Sequence, residues 1–131
     1  MKLIVCLDDK NGMAFGGRRQ SRDSEVCKRI LDISAGEKLW MNAYSAKLFA
    51  GSAVCVHEEF LQMAGERDFC FVENVAVLPV MASVTELVVF RWNRHYPSEL
   101  QFPAMKDWRI LRTEEFPGNS HDKISLEVYG R

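Results

Sequence analysis

The strongest constraint on this chain is a string of short, apolar, β-rich runs separated by stretches of helical spacing. The first run, KLIVCL at Lys2–Leu7, is nearly continuous in apolar residues, as a strand buried on both faces must be. Later runs are KLWM at 38–41, AVCV at 53–56, DFCFV at 68–72 and ELVVFRW at 86–92. Between them lie segments of helical character. Val26, Cys27, Ile30, Leu31 and Ile33 recur at helical spacing after Asp23-Ser24-Glu25, a cap followed by an acidic first turn. Residues 46–49 and 58–64 predict shorter helical pieces, and 75–82 predicts another, with Pro79 inside it. Strands alternating with helices predict an α/β fold, a three-layer α/β/α sandwich around a mainly parallel sheet.

The pattern changes after Trp92. Residues 93–103 carry Pro97 and Pro103 and predict a loop. Residues 108–114 (WRILRTE) and 122–129 (DKISLEVY) alternate apolar and polar side chains across a turn at 116–120. They predict an antiparallel hairpin at the sheet edge. With 131 residues and 47% hydrophobic content, the chain fits a single domain over residues 1–131.

Composition narrows the partners. A net charge of −1 gives no general attraction for nucleic acid or an anionic membrane. Residues 1–7 run into Asp8 and Asp9 without a cleavage pattern, and no apolar run is long enough to span a bilayer, so a cytoplasmic location is expected. Cys6, Cys27, Cys55 and Cys70 form no CxxC pair and predict free thiols in a reducing compartment. His57, His95 and His121 stand in no HxH or HExxH motif, so no metal is expected; a ribonuclease Z would need HxHxDH, which is absent. Arg91, Trp92, Arg94, His95 and Tyr96 mix aromatic and basic residues, but a packed strand end accounts for them more simply than RNA stacking.

The stretch with most chemical promise is GMAFGGRRQSRD at 12–23. Gly12, Gly16 and Gly17 give it conformational freedom. Arg18, Arg19 and Arg22 concentrate positive charge just before a helix N-terminus, where free amides favour an anion. The alternative is a solvated loop whose arginines face water.

In their order, these elements resemble the dihydrofolate reductase family. The first strand with Gly12-Met13 resembles the family's first strand and mobile substrate loop. KLWMNAYSAKLF at 38–49 resembles its strand, Met-Gly-Arg and hydroxyl-residue segment. ELVVFRWN, LQFP at 100–103, Asp107-Trp108 and SHDKISLEVYGR resemble its last three strands. The resemblance implies an NADPH-dependent reductase of a pterin-like substrate, with Asp23 at the place of the proton-relay carboxylate. A helix cap is the simpler role for Asp23.

Departures from the family pattern fall on the cofactor. Where adjacent glycines approach the pyrophosphate, the chain has Phe71-Val72-Glu73-Asn74-Val75, and Glu73 adds negative charge. Ala43 replaces a basic phosphate partner, while Ser45 keeps the hydroxyl. The chain is short between Val56 and Asp68, and Gly16-Gly17-Arg18-Arg19 stands where the family has Pro-Trp. The expectation is therefore a divergent dihydrofolate reductase-like protein without normal NADPH binding. It would bind a small anionic ligand or a protein partner at the carboxyl ends of the strands. Arg18, Arg19 and Arg22 would supply charge, Asn42, Tyr44, Ser45 and Asn74 polar contacts, and Asp23 an acid/base group. Two alternatives stand beside it. One is an active reductase, which needs Glu73 turned away from the phosphates. The other is a non-catalytic interaction protein whose pocket is filled by Phe15 and Tyr44, leaving no well-formed cavity between the first helix and the sheet.

Overall fold

A computed structural model describes all 131 residues. Its centre is β1 (Lys2–Leu7), which pairs in parallel with β6 (Phe69–Phe71) on one side and β7 (Glu86–Arg91) on the other. The lack of polar alternation in β1 has a direct cause. Leu3, Val5 and Leu7 enter one core and Ile4 enters a second core on the opposite face. In β7, Leu87 and Val89 divide from Val88 and Phe90 in the same way. Two short parallel strands, β4 (Leu39–Met41) and β5 (Cys55–Val56), extend the sheet beyond β6. Beyond β7 lie β9 (Arg109–Phe116) and β10 (Ile124–Gly130), an antiparallel pair with a register shift at Val128/Tyr129. The strand order is β5-β4-β6-β1-β7-β10-β9, which matches the expected parallel sheet with an antiparallel edge.

Helix α1 (Ser24–Ile33) buries Val26 and Ile30 against one face of the sheet. It starts where it does because the Asp23 side chain, in extended backbone (φ −155°), accepts the Glu25 amide. The short α2 (Ala43–Ala46) lies on the same side, capped by the Asn42 side chain. On the other face, α3 (Phe60–Met63) and a 3-10 segment at Leu78–Ser83 cover the core of Leu3, Val5 and Leu7, through Phe60 and through Val77 and Val84, which flank the 3-10 segment. No helix is long and apolar enough to cross a membrane.

Two expectations need correction. The segment at 75–82 is no α-helix: Pro79 sits in the first turn of a 3-10 segment, where its missing N–H costs nothing, so it starts the element rather than kinking it. The glycine-rich stretch is no free loop either. Residues β2 (Gly12–Phe15) and β3 (Arg18–Arg19) form a hairpin, and β8 (Leu100–Gln101) pairs with β2 to make a small separate sheet. Gly16 and Gly17 occupy the hairpin's two-residue turn with φ of +61° and +74°. Positive φ at both positions is the requirement of a type I′ turn, which glycine meets without a Cβ penalty. At the hairpin base, the buried Asp8 carboxylate accepts from Lys10 N, Gly12 N, Gln20 Nε2 and Tyr96 N. These bonds hold its pKa below the ordinary value despite the opposing effect of burial.

A Cβ at Gly17 meets no neighbour within 4 Å, so only backbone strain opposes it. Gly17→Ala is expected to lower unfolding free energy by about 1 kcal/mol, read from urea denaturation.

Candidate functional site

The hairpin brings its second strand over the carboxyl end of β6. There Arg19 meets Glu73 in a two-pronged pair: Nε lies 2.7 Å from Oε2 and Nη2 lies 3.0 Å from Oε1. The Ser45 hydroxyl, from α2, donates to the same Oε1 at 2.7 Å. Tyr44 lies beneath the guanidinium, its ring centroid 4.2 Å from Cζ, and its hydroxyl accepts the Arg19 amide at 3.0 Å. Asn74 donates to the Gly17 carbonyl at 3.0 Å and accepts from Asn42 Nδ2 at 3.0 Å. Asn42 in turn uses its oxygen to accept the Ser45 amide. The result is a latch joining hairpin, α2 and strand end.

Both charges of the latch are withdrawn from water. The side chains of Arg19 and Glu73 are 17% and 6% exposed. Burial lowers the Arg19 pKa, but hydrogen bonding and attraction to Glu73 outweigh it and the net shift is upward. A buried pair of this kind adds little over an apolar pair of the same volume, yet removing one partner strands the other.

A second constellation lies behind α1. The Asp23 side chain is 0% exposed and accepts the amides of Glu25, Asn119 and Ser120, the Ser120 hydroxyl, and His121 Nδ1 at 2.9 Å. Burial opposes its ionisation, but these bonds prevail and hold the carboxyl far below the usual range. The His121 ring stacks on Trp92 with centroids 4.6 Å apart, and its Nε2 lies 2.9 Å from Ser21 Oγ.

Of the residues singled out in the sequence, Arg19, Asn42, Tyr44, Ser45 and Asn74 converge at the latch. Arg18 and Arg22 do not: both side chains are exposed, because the alternation of β3 turns Arg18 away from Arg19 and Arg22 lies in the link to α1. Asp23 is the helix cap as well as the partner of the turn at 119–121. Phe15 is 55% exposed at the hairpin tip, so it does not fill the crevice. The space between α1 and the sheet is nonetheless small. A cavity lined by Ser21, Asp23, Cys27, Glu73 and Trp92, among others, holds about 10 Å³, which is room for about one water. A larger depression, about 760 Å³ around Met1 and Thr85, lies at the opposite end of the strands, away from both constellations.

The sequence reading missed three members: Glu73 as the arginine's partner, and Ser21 and His121. Each acts across 54 to 100 residues of chain, a distance that local spacing does not encode. The four cysteines are free, and only Cys70 is buried. Burial pushes its thiol up to about 12, and raises Cys6 and Cys27 as well, so none of these three is a ready thiolate at neutral pH. No three His, Cys, Asp or Glu side chains converge as metal ligands.

The fold these elements build is that of dihydrofolate reductase. Among solved structures, the chain is similar to dihydrofolate reductase from Enterococcus faecalis complexed with NADP(H) and RAB-propyl. The TM-score is 0.70 over 99% of this chain and 95% of that one, at 11% sequence identity. No family model and no curated protein matches the sequence. The likeness therefore defines a divergent dihydrofolate reductase-like fold, and fold alone leaves the activity to be argued from the site.

Arg19→Ala is expected to lower stability by about 3 kcal/mol, because Glu73 is left buried without its cation. The double change Arg19→Met/Glu73→Leu should return to within about 1 kcal/mol of wild type, read from urea midpoints. Asp23 and Asp8 have depressed native pKa values, so their contribution is complete above the unfolded value of about 4 and is lost as pH falls through the native values. Stability should fall on acidification below about pH 4. Asp23→Asn should flatten that fall while lowering stability at neutral pH.

Proposed function

We propose that this chain is a dihydrofolate reductase-like protein that has given up the usual mode of NADPH binding and instead takes a small anionic ligand at the latch. The observation that carries this reading is the setting of the Glu73 carboxylate. A guanidinium fork, a serine hydroxyl and an aromatic face beneath the cation are the donors that hold a carboxylate or phosphate, and here they hold one belonging to the chain. An incoming anion would take the place of Glu73 on Arg19 and Ser45. A cofactor pyrophosphate would need close backbone contact as well, and the strand end has no glycine pair to let the backbone approach it. Asn42 and Asn74 fix the hairpin over the site, so ligand entry is coupled to release of the Gly17 carbonyl.

A second reading, a protein partner at the hairpin tip, is favoured by Phe15. It stands exposed beside Arg18, next to an open depression lined by Gln20, Tyr96 and Pro97. An active NADPH-dependent reductase is the reading with least support, because the strand end after β6 carries Glu73 and no glycine pair.

Calorimetric titration tests the proposal. NADPH, with or without dihydrofolate, is expected to give no binding heat at millimolar concentration, and micromolar binding with turnover would overturn the reading. Glu73→Gln, which keeps the shape and removes the charge, should strengthen binding of inorganic pyrophosphate by about tenfold or more. Arg19→Ala in that background should abolish it. Equal pyrophosphate affinity in wild type, Glu73→Gln and the double variant would remove the latch from the ligand site.

A further inference from the structure

We propose that Ser21, His121 and Asp23 form a nucleophile–base–carboxylate relay that transfers a small acyl group from an ester. This lies outside the latch and does not depend on it.

The proton positions follow from the bonding. Asp23 is ionised and accepts only, and one of its oxygens faces His121 Nδ1 at 2.9 Å. Nδ1 therefore carries the proton. In the neutral ring Nε2 then presents a lone pair, and the atom 2.9 Å from it is Ser21 Oγ, which must donate. Nucleophile to base and base to carboxylate are both within hydrogen-bond reach, the arrangement that activates a serine on unrelated folds. Three features lock it. Asp23 is held by the amides of Glu25, Asn119 and Ser120, the ring is stacked on Trp92, and His121 is 8% exposed. A helix cap needs only the Glu25 bond; the turn at 119–121 and the Ser21 contact go beyond that role.

Ser21 is half-buried and lines the small cavity beside Cys27 and Trp92; that space has room for about one water, so the acyl group must stay on the open side of Ser21 and be short. The exposed Arg22 lines the same cavity and forms no ion pair, leaving its charge available to a carbonyl oxygen. In the first step Ser21 Oγ bonds to the acyl carbon, its proton passes to His121 Nε2, and the carbonyl π electrons move to oxygen. The ester C–O bond then breaks and the leaving alcohol takes the proton from Nε2. Water attacks the serine ester, gives a proton to Nε2, and collapse releases the carboxylic acid and returns the proton to Ser21. His121 is the base and Asp23 a positioning residue.

Incubation with a small fluorophosphonate, followed by intact mass and peptide mapping, tests the relay. One phosphonyl group is expected on Ser21, and none in Ser21→Ala or His121→Gln. Asp23→Asn, checked for folding by circular dichroism, should react at least about 100-fold more slowly and lose the low-field proton resonance of the carboxylate-bound imidazole. A Ser21 rate no faster than in the urea-unfolded chain overturns the proposal, as does an adduct confined to Cys27 or another residue. Unchanged labelling in a folded Asp23→Asn overturns the relay.

Discussion

The arrangement of this molecule depends on one buried ion pair. Arg19 and Glu73 come from elements 54 residues apart, and each is tolerable in its shielded place only because the other is there. The pair fixes the hairpin to the end of β6, and through Ser45 and Tyr44 it fixes α2 as well. Coulomb attraction between groups so shielded is stronger than on an open surface, but so is the cost of separating them from water. The pair therefore acts less as a source of net stability than as a device that specifies where the hairpin lies. A glycine-rich segment that would otherwise sample many conformations is held over the carboxyl end of β6.

Much of the scaffold was legible in the sequence. β1 and β7 announce a parallel sheet because both of their faces are buried, and β10 announces a strand with one covered face because Ile124, Leu126 and Val128 alternate with half-exposed Ser125, Glu127 and Tyr129. The small sheet was less visible. β3 and β8 are two residues each, too short for any period to register. The Gly16-Gly17 pair was nonetheless a signal for a type I′ hairpin, and weighing its required positive φ would have found β2 and β3.

The site was legible in part, and for a physical reason. Asn42 and Asn74 follow the ends of β4 and β6, Tyr44 and Ser45 lie in α2 directly after β4, and the fold gathers strand ends at one place. Arg19 joins them because strand alternation turns it inward while Arg18 turns out. The charge opposing a phosphate at Glu73 was evident from residue type alone, but its neutralisation by Arg19 was not, since the contact is made only when the hairpin folds back. The same holds for Ser21 and His121, which meet across 100 residues. A helix cap at Asp23 is a local fact that the sequence states; the turn that encloses its carboxylate is a tertiary one.

Charge closes the hairpin, and amide hydrogen exchange reads that closure directly. The Arg19 amide, bonded to the Tyr44 hydroxyl, should be protected in the native protein. In Glu73→Ala its exchange should accelerate by about tenfold or more, with the amides of β1 and β7 little changed. Exchange of Arg19 in the wild type at the rate of an unstructured peptide would contradict the account, and so would equal protection in wild type and Glu73→Ala.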